Sequence, residues 1–167
     1  MSTITSPSPV QTANRSLLKA ILWAALIAGS LDIISAVLVN GALSGAIRPI
    51  RILQGIASGA VGRSAFDGGL GMALVGLLFH YFFALMFATV YFLLYPYLPF
   101  LHRYPVLWGF LYGMFAWAIM NGVVIPLSAI HPAPFNWTRA LINIVILMFM
   151  IGLPIALLAR KYYSKKA

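Results

Sequence analysis

Four long apolar runs follow one another along the chain, separated by short stretches rich in proline, arginine and aromatic residues. They cover residues 20–39, 70–95, 106–127 and 140–159. Each reaches the roughly 20 residues that a helix needs to cross the hydrocarbon of a bilayer. The second run is longer and must tilt or project beyond it. The runs are continuous and do not alternate with period 2, which predicts helices and argues against a β-barrel. The connections PYLPFLHRYP (96–105) and SAIHPAPFNWTR (128–139) carry prolines that break helices, with Trp, Tyr and Arg suited to the headgroup level. The expected fold is an all-α membrane protein, a bundle of four transmembrane helices.

The connection between the first two runs has a pattern of its own. Residues 49–61 read PIRILQGIASGAV, with Ile52, Ile56 and Ala60 at i, i+4 and i+8, and Arg51, Gln54 and Ser58 largely elsewhere. Pro49 suits a first helical turn. Thirteen residues rise only about 20 Å as a helix, too short to span. The pattern predicts an additional amphipathic helix, interfacial or re-entrant, with Arg51 and Gln54 toward water. Residues 1–16, rich in Ser, Thr and Pro, read as a disordered polar tail. Residues 17–161 read as one transmembrane domain and 162–167 as a basic tail. Arg15 and Lys19 precede the first run as they would in a signal peptide, but that run exceeds a 7–15-residue h-region and is read as a span.

Composition sharpens this picture. Apolar residues make up 62% of the chain and charged residues 8%, with a mean hydropathy of +0.96. A soluble domain needs about 25% charged residues to cover its surface, so the predicted solvent of this surface is lipid. The net charge of +9 does not point to nucleic acid, because the cations cluster at the ends of apolar runs. Four spans put both termini and the 96–105 loop on one side. That side holds seven of the eleven Lys and Arg residues, so the positive-inside rule predicts cytoplasmic termini.

The chemistry-bearing residues are few. Only two acids occur, Asp32 and Asp67, and Asp32 lies in the stretch GSLDIISA (29–36) inside the first run. Measured along the runs, Asp32, His80, Asn121 and Asn143 fall at overlapping depths in the outer half of the membrane, and Arg51 joins them if the 49–61 helix dips inward. A charge at such depth costs several kcal/mol unless paired or wetted, so this set is expected to face the bundle interior as one intramembrane polar cluster. Two readings fit it: hydrogen bonds tying helices together, worth about 0.6–2 kcal/mol each, or proton handling by Asp32 and His80. Around Asp32, the residues Ala25, Ala28, Gly29, Ser35 and Ala36 are all small, which predicts a neighbouring helix on that face. Leu26, Ile27, Ile34 and Leu38 predict a lipid-facing stripe. Gly109 and Gly113 form the one GxxxG pair inside a span and are expected to pack helix on helix. Pro126 and Pro154 read as helix-ending residues.

Enzyme signatures are lacking. FDGG around Asp67 lies outside any span and has no second carboxylate opposite, GALSG (41–45) has one residue too many for a GxSG serine motif, and the chain has no cysteine. His80, His102 and His131 lie apart, so neither a metal site nor a cofactor is expected. The expectation is a non-enzyme.

Residues 80–132, HYFFALMFATVYFLLYPYLPFLHRYPVLWGFLYGMFAWAIMNGVVIPLSAIHP, resemble the YagU-like family of bacterial inner-membrane proteins. The features are a His opening a long apolar span, a short basic loop, LWGFLYG, and VVIPL ahead of a proline-containing loop. The resemblance implies a bacterial inner membrane and, through the family's association by name with acid resistance, a role near proton chemistry. It supplies no catalytic residues. Two function classes are therefore expected: a small oligomeric conduit or carrier for protons or small ions, or a non-catalytic component that stabilises a protein partner or the envelope.

Overall fold

The computed structural model describes residues 9–130 and 136–164, with side chains from Ser16 onward. The described residues form helices and short turns, with no strand among them. Four helical stretches are long and apolar enough to cross a membrane: Ser16–Ser44, Gly69–Tyr97, Pro105–Leu127 and Trp137–Ser164. They coincide with the four apolar runs and extend each by a few residues.

Helix α1 (Pro9–Ser44) starts before the first run, so residues 9–16 of the expected tail belong to a helix; residues 1–8 lie outside the described residues. The Ser16 hydroxyl lies 3.1 Å from that of Tyr162, tying this beginning to the end of the fourth span. α1 buries Ala24, Ala25, Ala28 and Gly29, while Leu26, Ile27, Ile34 and Leu38 are exposed. The small face receives α3 (Gly69–Leu94): a Cβ on Gly29 would sit 3.0 Å from the Tyr81 ring and 3.1 Å from Ala84 Cβ. The bulky face suits lipid. In a bilayer apolar burial does not drive helices together, so such close approach does.

The same device joins the third and fourth spans. α5 (Pro105–Ile119) carries Gly109 and Gly113, both buried. A Cβ on Gly113 would collide with the backbone of Met148 and Leu147, and one on Gly152 with the backbone of Gly109 and Gly113. The GxxxG pair thus packs within the chain.

The short α4 (Pro99–Arg103) precedes the third span, and the short α6 (Ile125–Leu127) is its last turn. The third span passes from α5 into α6 through a π-turn, Met120–Val124. The fourth passes from α7 (Trp137–Leu147) into α8 (Leu153–Ser164) through another, Met148–Gly152. Each π-turn ends two residues before a proline, Pro126 or Pro154. Proline has no N–H for the carbonyl four residues upstream, Gly122 or Met150, and its ring crowds that carbonyl. Widening that turn accommodates both. Pro154 consequently does not end its helix, which continues to Ser164 and takes in Tyr162, Tyr163 and Ser164 of the expected basic tail; residues 165–167 lie outside the described residues.

The largest departure from the sequence expectation is α2 (Pro49–Val61). Its helix forms over the predicted residues, but its polar positions are not all at water. Gln54 and Ser58 are buried against the bundle, and the Gln54 amide donates to the Gly69 carbonyl at 3.0 Å. Gly76 of α3 meets the backbone of Leu53 and Ala57 so closely that no Cβ fits between. Gly76 lies seven residues into α3, about 10 Å along its axis, so the expected helix packs into the bundle. Its Ile52, Ile56 and Ala60 stripe faces a cavity. The Ala129 N–H donates to the Gly59 carbonyl at 2.8 Å and fixes α2 to the end of the third span. A cysteine at Arg51 should therefore react with a water-soluble thiol reagent in intact vesicles, while one at Gln54 should stay protected. Equal labelling of both would mean that α2 does not pack as described.

Candidate functional site

Each of the four spans contributes one polar side chain to a single chamber of about 270 Å³: Asp32 from α1, His80 from α3, Asn121 from the π-turn of the third span and Asn143 from α7. Its remaining walls are apolar and aromatic, including Phe83 and Phe87 of α3, Trp117 of α5 and Ile56 of α2. Local structure explains the convergence. The small face of α1 brings Asp32 close to α3, and the widened turn at Met120–Val124 carries Asn121 to the chamber rim.

His80 is held from α1. Its Nε2–H donates to the Gly29 carbonyl at 2.7 Å, and one residue further on, the hydroxyls of Tyr81 and Ser30 lie 2.8 Å apart. A carbonyl only accepts, so Nε2 carries a proton. Asp32 is half-buried on the wall of the chamber that His80 also lines. Among the described residues no donor lies within hydrogen-bond distance of its carboxylate: His80 bonds the Gly29 carbonyl and Arg51 lies over the Phe66 ring. The Asn121 amide donates back to the Trp117 carbonyl at 2.9 Å, and both asparagines are exposed at the rim.

Arg51 does not join this set. It is exposed on α2 with its guanidinium 5.0 Å from the centre of the Phe66 ring, a cation–π contact that holds it at the end of the bundle. His102 lies elsewhere, edge-on to Tyr95, and His131 falls outside the described residues.

Two features escape a one-dimensional reading. The first is the aromatic wall of Phe83, Phe87 and Trp117, which in sequence is indistinguishable from lipid-facing aromatics. The second is a larger, almost wholly apolar cavity of about 490 Å³ between α2, α3 and the end of the third span. It shares Ile56, Phe83, Met120 and Ile125 with the polar chamber. On the opposite side of the chamber, tyrosines continue toward the end of the bundle that carries the termini. The Tyr112 hydroxyl donates to the Phe87 carbonyl at 2.7 Å, the ring of Tyr91 meets that of Tyr112 at 4.8 Å, and Tyr95 follows at 6.1 Å from Tyr91. The Tyr91 hydroxyl is buried without a hydrogen-bond partner among the described residues.

Fold and site together define a multi-pass helical membrane protein whose four spans surround a polar chamber. Comparison of the chain with protein-family models, curated proteins and solved structures finds no match.

Proposed function

We propose that the protein is a small proton-handling carrier or conduit of the bacterial inner membrane, with Asp32 as the proton-exchanging group and His80 as its neighbour. The observation that carries this reading is the convergence of one polar side chain from each span on a common chamber. Helix–helix glue alone does not call for a carboxylate that lacks a hydrogen-bond donor among the described residues, since an amide or hydroxyl serves that purpose at lower desolvation cost. The tyrosines Tyr112, Tyr91 and Tyr95 support a polar route from the chamber toward the termini. The exposed amides of Asn121 and Asn143 favour an oligomer, because an uncovered amide at membrane depth needs a partner or water. The likeness of residues 80–132 to YagU-like proteins is the reason for naming the bacterial inner membrane. Nothing in this reading requires catalysis.

The direct test is proton flux into liposomes containing the purified full-length protein, driven by a potassium diffusion potential. Flux above that of protein-free liposomes, lost in Asp32→Asn, is expected; flux indifferent to Asp32 would overturn the reading. The excess of Lys and Arg near the termini supports a cytoplasmic position for both. Fusions of a reporter active only in the cytoplasm should therefore be active at either terminus and inactive in the loop before Trp137. Opposite locations of the two termini would refute the four-span topology.

A further inference from the structure

We infer that the two adjoining cavities, which share Ile56, Phe83, Met120 and Ile125 as walls, form one site for an amphiphilic organic cation, with its ammonium head in the polar chamber and its alkyl tail in the apolar one. This inference rests on the carrier reading and names the substrate class of the same site. Asp32 is the carboxylate of the spans, faces the chamber, and has no donor in reach among the described residues. A bound cation supplies the direct contact to the carboxylate that no donor among the described residues makes. Phe83, Phe87 and Trp117 line the same space, and aromatic faces attract alkylammonium groups.

The donor set discriminates against a bare metal cation. Calcium takes six to eight oxygens and magnesium a full octahedron. Here one carboxylate faces two amides and an imidazole whose Nε2 is occupied by Gly29, and no three acids or histidines gather among the described residues. A quaternary ammonium asks only for one negative charge and apolar or aromatic walls. The tail has a place as well. The apolar cavity, built on the Ile52 and Ile56 stripe of α2, lies directly beside the polar one, with the side chains of Ile56 and Phe83 common to both. Gly55 lines it with nothing within 4 Å of where its Cβ would be.

One carboxylate holds either a proton or the cation. Binding therefore releases up to one proton, and apparent affinity falls as pH is lowered through the range in which Asp32 becomes protonated, approaching tenfold per pH unit. Loading from one side and protonation from the other would exchange the two species with charge balanced.

The test is calorimetric titration of the full-length protein in lipid nanodiscs with tetramethyl-, butyltrimethyl- and octyltrimethylammonium. Empty nanodiscs are subtracted and 1-octanol is the uncharged control. Affinity is expected to rise along the series, by up to about fourfold per methylene at ~0.8 kcal/mol each. Proton release should appear as a dependence of the heat on the buffer's ionisation enthalpy. Asp32→Asn should weaken octyltrimethylammonium at least about tenfold and abolish proton release, while Gly55→Leu, which fills the apolar cavity, should flatten the chain-length dependence. Binding unchanged by Asp32→Asn, or no stronger than that of 1-octanol, would overturn the inference. If ammonium ions do not bind while Asp32-dependent proton flux persists, this inference fails and the carrier reading stands. If that flux is absent too, both fail.

Discussion

Gly113→Leu should leave the third and fourth spans unable to pack, and the purified protein should lose its monodisperse peak in detergent. The added side chain has nowhere to go: its first carbon would already collide with the backbone of Met148 and Leu147. Backbone atoms on a π-turn flanked by Leu147 and Leu153 cannot swing aside as a side-chain tip would. Overpacking a close-packed interior typically costs about 1–3 kcal/mol, more when the backbone must move. In a membrane the loss is not recovered by burying other apolar surface, since lipid tails solvate leucine as well as a neighbouring helix does. Gly152→Ala should show the same defect, because its Cβ meets Gly109 and Gly113 from the other side. Gly71→Ala is the matched control. That glycine lies in α3 with nothing within 4 Å of a Cβ, and the substitution should leave the thermal midpoint unchanged or slightly raised. Equal midpoints for wild type, Gly113→Leu and Gly71→Ala would show that the glycine interface does not hold the spans together.

Asp32→Asn should reduce proton flux to that of protein-free liposomes without loss of fold. The amide matches the carboxyl in shape but does not exchange a proton near neutral pH. The geometry also predicts how Asp32→Leu behaves. His80 is fixed by the Gly29 carbonyl and Arg51 sits over Phe66, so neither depends on Asp32 for its place. Removing the carboxylate therefore strands no partner, and both variants should retain the wild-type thermal midpoint or exceed it, since a half-buried charge without a donor costs several kcal/mol. A large destabilisation by Asp32→Leu would mean that the carboxylate is a structural tie, in favour of the scaffold reading. His80→Phe, by contrast, removes an interhelical hydrogen bond and should lower stability by about 0.6–2 kcal/mol.

Much of this architecture is a one-dimensional property of the chain. Whether a segment enters a bilayer depends on the summed transfer free energy of about 20 consecutive residues, and those sums are visible in residues 20–39, 70–95, 106–127 and 140–159 without any knowledge of contacts. The small face of α1 is legible for a related reason: Ala25, Ala28 and Gly29 fall on one side at helical spacing, opposite Leu26, Ile34 and Leu38. Membership of Asp32, His80, Asn121 and Asn143 in one chamber follows from equal depth combined with the cost of pointing polar groups at lipid.

Tertiary packing alone decided the rest, and it did so where depth and hydropathy leave direction open. Gln54 and Ser58 look like a water-facing side of α2, yet both turn inward. The bare Cα of Gly76 lets α2 seat against α3 there, and the Gly69 carbonyl offers the Gln54 amide a partner. Arg51 has the right position in sequence to reach Asp32, but α2 lies so that its guanidinium finds the Phe66 ring instead. Pro154 reads as a helix end and becomes the cause of a π-turn inside a continuous span, because the neighbouring α5 presents glycines against which the widened turn fits. In helices that are apolar all round, rotation about the axis costs little in lipid. Which residues line a cavity is then settled only by the few places where backbones come closest, at Gly29, Gly76, Gly113 and Gly152.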